Sequence, residues 1–183
     1  MAAQTLAEAL EAEHRRIDAG IEAFLAEPAA DRSAAAGQPG PRSGAADQPG
    51  AEPLFEALHA LRRHIFLEEE FLFGPLREGG LVAPIFVMMR EHGEIWDTMD
   101  TLLAQVAIEP AAEAVEPTCR ALLEQLDRHN FKEEPIIYPE VDAAMHGPAG
   151  DRLREWLQDG EVPEGWRCAR ASAAPVGRPA PQP

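Results

Sequence analysis

Four stretches of this chain repeat apolar residues at helical spacing, and every one of these stripes carries a histidine. Leu6, Leu10, His14, Ile17, Ile21 and Leu25 recur every three or four residues, as do Leu54, Leu58, Leu61, Ile65, Glu68 and Leu72. Ile85, Met88, His92, Ile95, Trp96, Met99, Leu102 and Val106 make a third stripe, and Cys119, Leu122, Leu126, His129 and Glu133 a fourth. Such spacing predicts amphipathic helices. No window alternates convincingly with period two, so no sheet is expected. Four long helices in series pack most economically as an up-down-up-down four-helix bundle. This all-α fold should end in short C-terminal helices over 140–145 and 151–157. Pro53 suits the first turn of the second helix. Gly74-Pro75, Gly79-Gly80, Pro110 and Pro117 are read as separators, and Pro135 and Pro139 as ending or kinking the fourth helix.

The stripes contain residues that an apolar core does not tolerate alone. His64-Ile-Phe-Leu-Glu68 and His129-Asn-Phe-Lys-Glu133 are both HxxxE, and positions i and i+4 lie one turn apart on one helix face. With His14 and His92, six metal-capable side chains point into one core. A buried carboxylate is costly unless it is paired or bound to metal, and two carboxylates held together repel. No Lys or Arg stands in the stripes to neutralise them. Imidazole and carboxylate without thiolate suit iron, manganese or zinc. Six ligands exceed one tetrahedral zinc site and fit two metals, as in di-iron and di-manganese bundles. On this reading His14, His64, His92 and His129 are terminal ligands, two per metal, and Glu68 and Glu133 bridge. Octahedral iron would keep positions for an oxo or hydroxo bridge and for an exogenous diatomic ligand. Which histidines share a metal stays open. Cys119 and Cys168 form no CxxC pair and are not a metal site. Cys119 reads as core and Cys168 as a free surface thiol.

Composition sets the remaining bounds. Residues 28–52 carry no apolar side chain beyond Ala and Pro, so they cannot offset their ordering entropy and read as a flexible loop. That loop falls within one domain over 1–160, and 161–183 reads as a mobile C-terminal tail. Sixteen Lys+Arg against 32 Asp+Glu give a net charge of −16, which repels phosphate backbones and anionic membranes. No nucleic-acid or membrane partner is expected. No run approaches 18 apolar residues, the least a membrane helix needs. Glu8, Glu11 and Glu13 stand where a secretory signal would be basic, so a cytoplasmic protein is expected.

The segments EAEHRRID around His14, RRHIFLEEEFLF around His64 and Glu68, MREHGEIWD around His92, and DRHNFKEEPIIYP around His129 and Glu133 resemble the hemerythrin-like (HHE cation-binding) domains. The match is to their four-His, two-Glu form and covers about residues 5–145 apart from the loop. The resemblance implies a bundle holding two iron ions as a non-haem di-iron centre, with the ligands assigned as above. Manganese or zinc are the other metals such a donor set accepts. Oxygen-carrying members place a second histidine one turn from the third-helix ligand, where this chain has Met88 and Trp96. The pattern looks closer to the bacterial iron–sulfur-repair di-iron proteins and to iron-sensing hemerythrin-like domains. The expected function is binding of a diatomic ligand, O2 or NO, or sensing of iron or redox state. An enzyme-like role at the same centre is the alternative: turnover of peroxide or NO, or iron donation in iron–sulfur repair. A metal-free helical interaction module is the second alternative.

The other polar residues near the stripes have plainer readings. His59 lies about 140° around the helix from His64 and reads as surface or outer support. His146 reads as a helix-end residue. Glu70 reads as a solvated face, whereas Glu69 and Glu134 are positioned to orient a ligand histidine. Tyr138 reads as packing beside the end of the fourth helix. Phe66, Phe71, Phe73 and Phe131 are expected in the core, keeping the centre dry.

Overall fold

The computed structural model describes residues 4–26, 51–108 and 112–173. The expected loop at 28–52 lies outside the described residues as far as residue 50. Ala51 is already buried, and Glu52 opens a helix. The described chain is helical and contains no strand: α1 (Leu6–Ala26), α2 (Glu52–Leu67), a π-helical turn (Glu68–Leu72), α3 (Phe73–Glu78), α4 (Val82–Ile108), α5 (Ala112–Ile136), α6 (Tyr138–Ala144) and α7 (Pro148–Asp159). The short helices α6 and α7 fall where the sequence places them.

Two apolar clusters fix the direction of each helix. One gathers Leu6, Leu10, Leu72, Ile85, Met88 and Ile137. The other gathers Ile21, Phe24, Leu54, Leu58, Val106, Val115 and Cys119. Thus α1 starts in the first cluster and ends in the second, α2 runs back, α4 runs out and α5 returns. The order is up-down-up-down. α1 packs on α2 and α5, and α4 packs on α5 and α2, which closes the four into a bundle. Close approach of α1 and α2 depends on Gly20, where a Cβ would stand 2.8 Å from the Ala57 methyl.

The six predicted polar residues lie between the two clusters, so the bundle is dry above and below a polar layer. Phe66 and Phe73 are buried beside that layer and Phe71 is half-buried. Phe131 departs from expectation: it is 80% exposed. It follows His129 by two residues, which turns it about 200° away from the inward face. Pro117 and Pro135 both lie inside α5, so Pro117 is no separator.

The expected tail at 161–183 is also corrected over its first part. Residues 161–173 pack back onto the bundle, with Cys168 only 4% exposed and not at the surface. Trp166 sets its ring against Phe66 and Trp96, with centroids 5.0 Å and 5.4 Å away. Residues 174–183 lie outside the described residues.

Candidate metal centre

Each of the four long helices delivers one histidine to the polar layer, and α2 with its π-helical turn and α5 each add a glutamate one turn on. His14, His64, His92 and His129 are all buried, and Glu68 and Glu133 have no exposed surface. The six donors fall into two overlapping groups. His14 and His64 face Glu68 and Glu133 on one side, and His92 and His129 face the same two glutamates on the other. Within each group the ligand atoms lie within 4.8 Å of one another. This pairing, which the sequence leaves open, follows from helix adjacency: α1 lies beside α2, and α4 beside α5.

The glutamates sit between the pairs. Glu68 Oε1 is 3.2 Å from His64 Nε2, and its Oε2 is 3.2 Å from His92 Nε2. Glu133 Oε2 is 3.1 Å from His129 Nε2 and 3.6 Å from His14 Nε2. Three of these buried atoms have no hydrogen-bond partner: Glu68 Oε2, His92 Nε2 and Glu133 Oε1. Lone pairs that converge, buried and unpartnered, are the arrangement a cation satisfies. The donor set therefore fits bound metal on its own geometry.

Outside this inner set, each of these four histidines turns its Nδ1 to a second carboxylate. His64 meets Glu13 at 3.0 Å, His14 meets Glu134 at 3.0 Å, His92 meets Glu69 at 3.2 Å, and His129 meets Glu91 at 3.3 Å. A carboxylate at Nδ1 fixes the tautomer that leaves Nε2 free and makes the imidazole a better ligand. Glu69 and Glu134 orient histidines as the sequence suggested. Glu13 and Glu91 were not anticipated, although a signal for them is present. The pattern Glu-His followed by His-x-x-x-Glu-Glu occurs twice, at Glu13-His14 with His64 to Glu69, and at Glu91-His92 with His129 to Glu134. The acid before each first histidine holds the second histidine of its own unit. The last acid of each unit holds the first histidine of the other.

Tyr138, read from the sequence chiefly as packing, reaches the inner set. Its hydroxyl donates to Glu68 Oε1 at 2.8 Å and stands 3.3 Å from Glu133 Oε2. It also lies 2.9 Å from His14 Nε2 and 3.1 Å from His64 Nε2. The residue at the same position of the first unit, five after the inner glutamate, is Phe73. Tyr138 stacks on His14 with centroids 5.4 Å apart, and Phe73 stacks on His92 at 5.3 Å. His59 and His146 are exposed and away from the centre.

Burial disfavours charge throughout this layer, and neighbours decide each outcome. Burial raises the Glu68 pKa, but His64 and His92 outweigh it and hold the carboxylate well below its usual range. Burial lowers His64, but Glu68 and Glu13 outweigh it and keep the imidazole well above its usual range. His92 is raised in the same way by Glu68 and Glu69, and His129 is raised to about 9 by Glu133 and Glu91. His14 moves the other way: burial and the neighbouring His64 hold it below its usual value. Burial and the adjacent Glu133 and Glu68 push the Tyr138 phenol well up, so it stays protonated.

A cavity of about 10 Å³ opens beside the four histidines, walled by Ile17, Leu61, Ile65, Ile95 and Leu126, with Asp18 and Asn130 also on its lining. Such a volume holds one water-sized body. Among the described residues, no helix is long and apolar enough to cross a membrane.

The family model of the hemerythrin HHE cation binding domain matches residues 5–141. No curated protein and no solved structure matched the chain.

Proposed function

Because the chain belongs to the hemerythrin HHE cation-binding domain family, we propose that it is a cytoplasmic non-haem di-iron protein that binds O2 or NO, or reports iron or redox state through the same centre. The single observation that carries this reading is the pair of buried histidine sets sharing Glu68 and Glu133. His14 and His64 would hold one ion, His92 and His129 the other, and the two glutamates both. When bound, such ions supply a redox-active centre at which a diatomic ligand can bind reversibly.

The chain's own residues do the rest. Glu13, Glu134, Glu69 and Glu91 retain the Nδ1 protons and aim each Nε2 inward. The aliphatic wall of the cavity keeps bulk water from the histidines. The small size of the cavity favours a diatomic over an organic substrate. The unpartnered inner atoms favour a cation over a metal-free module.

The test is metal content on anaerobically purified protein, with absorption spectra before and after exposure to air or NO. About two irons per chain are expected, with new near-ultraviolet and visible bands on ligand addition. Absence of stoichiometric metal after iron reconstitution would overturn the reading.

A further inference from the structure

The chain runs on past the matched domain and returns to the metal centre. After α7, Arg63 Nε donates to the Gly160 carbonyl at 2.8 Å and anchors the turn. Trp166 Nε1 then donates to Glu70 at 2.9 Å, and Arg167 pairs with Asp100 at 2.8 Å. Ser172 donates to Asp97 from its backbone N–H at 2.9 Å and from its hydroxyl at 2.6 Å. Between these anchors, the Ala169 N–H donates to Glu69 Oε2 at 2.9 Å and the Cys168 thiol to Glu69 Oε1 at 3.1 Å. Glu69 Oε1 is also the acceptor for His92 Nδ1.

We propose that this strap, residues 163–172, is a positioning element for the His92 side of the metal centre. It locks the Glu69 carboxylate, Glu69 fixes the His92 ring, and strap docking and metal occupancy at His92 favour each other. A carboxylate on a flexible side chain orients a histidine only as firmly as it is itself held, and such outer partners govern metal retention. The corresponding acid of the other unit, Glu134, has no such strap among the described residues: its side chain is 36% exposed against 4% for Glu69. Coupling between two sites is reciprocal in free energy, so metal at His92 must favour strap docking by the same factor by which the docked strap favours metal. The proposal rests on His92 being a metal ligand.

Gly93 gives a lever on the strap alone. It lies in α4 beneath Arg170, and a Cβ there would stand 2.4 Å from the Arg170 carbonyl oxygen, too close unless the strap lifts. Alanine is also a better helix former than glycine, so Gly93→Ala does not weaken α4 itself. The experiment loads the full-length protein with iron(II), challenges it with a ferrous chelator, and follows trypsin cleavage after Arg167 and Arg170 by mass spectrometry. Gly93→Ala should speed release of one of the two irons about 10- to 100-fold, speed cleavage, and leave helicity intact. Cys168→Val, which removes the thiol donor, should speed release by a smaller factor, and Cys168→Ser, which keeps a donor, should restore it. In wild type, removing the metal should speed cleavage.

Unchanged release in Gly93→Ala with the strap cleaved, or unchanged release in Cys168→Val, overturns the proposal. So do equal cleavage rates with and without metal. His92→Ala in the same assay separates the two readings. If it leaves iron retention untouched, the ligand assignment fails. If it loses iron while the strap variants do not, the strap proposal fails alone.

Discussion

His14 and His64 meet a tyrosine hydroxyl, whereas His92 and His129 meet a centre with no such oxygen, because the matching residue is Phe73. In other respects the two halves follow one plan: two histidines, two shared glutamates, two outer carboxylates and one stacked aromatic ring. The difference shows in the unpartnered atoms. Both Nε2 atoms on the tyrosine side lie within hydrogen-bond reach of its oxygen, while among the described residues His92 Nε2 faces only the Glu68 carboxylate, at 3.2 Å. It also shows in the charge balance, since the His92 and His129 pKa values are both raised, but His14 is lowered while His64 is raised. A doubled motif therefore does not make a symmetric centre. One phenol oxygen reaches both histidines of one half, whereas the histidines of the other half face only the shared carboxylates.

The largest break in the comparison should come from residues that belong to both halves. On the proposed ligand assignment Glu68→Ala or Glu133→Ala would remove a ligand from each ion, so metal content should fall from about two per chain to well under one. His64→Ala and His129→Ala each touch one half and should leave about one ion. Metal analysis after reconstitution distinguishes these outcomes. Two ions retained in either glutamate variant would show that the carboxylates do not bridge.

A smaller effect should appear in the metal-free protein as pH rises. His129 has its folded pKa near 9, above the unfolded value of 6.5. It therefore holds a proton more tightly when folded, and the stability this supplies is complete below pH 6.5 and lost as pH climbs through about 9. The shift corresponds to about 3 kcal/mol. His14, shifted down, has the opposite sign: its contribution is lost as pH falls through its lowered folded value. Urea unfolding of metal-free protein should show weakening from pH 6.5 to 9.5, and His129→Gln should flatten that fall. Metal-loaded protein, whose ligating imidazoles carry no Nε2 proton, should not show it. An equal fall in loaded protein would mean that His129 does not ligate.

The helices and the inner six were legible because a histidine or glutamate on an apolar stripe breaks a periodic pattern, and a break in phase is visible in one dimension. The pairing of histidines was not, because it depends on which helices are neighbours. Glu13 and Glu91 were hidden because each acts on a histidine of another helix, 51 and 38 residues away. The sequence shows only an acid beside a ligand. Phe131 shows the converse error: its residue type suggests core, but its phase points outward. Tyr138 was obscured by the break after Pro135. The chain turns at Ile137 into α6, so the helical period of α5 cannot be extended to reach it. The π-helical turn at Glu68–Leu72 and the strap both arise from tertiary contacts that composition does not encode.

The finest test exchanges the two aromatic residues. Tyr138→Phe makes both halves phenylalanine-lined and removes one buried hydroxyl from four neighbours. Unfolding of the metal-free protein should become easier by about 1–3 kcal/mol, the usual result of stripping a partner from buried polar groups. The loss should shrink once metal supplies the missing partner, so the comparison of loaded with metal-free protein is the informative reading. Phe73→Tyr places a hydroxyl beside His92, where an unpartnered Nε2 can receive it, and should recover part of the lost stability in the Tyr138→Phe background. On the di-iron reading, iron-loaded protein should show two spectroscopically distinct sites, and if the double exchange moves that difference from one half to the other, the phenol is its source. If the difference stays with the His14 side, its source is the outer carboxylates instead, where half-buried Glu134 contrasts with strapped Glu69.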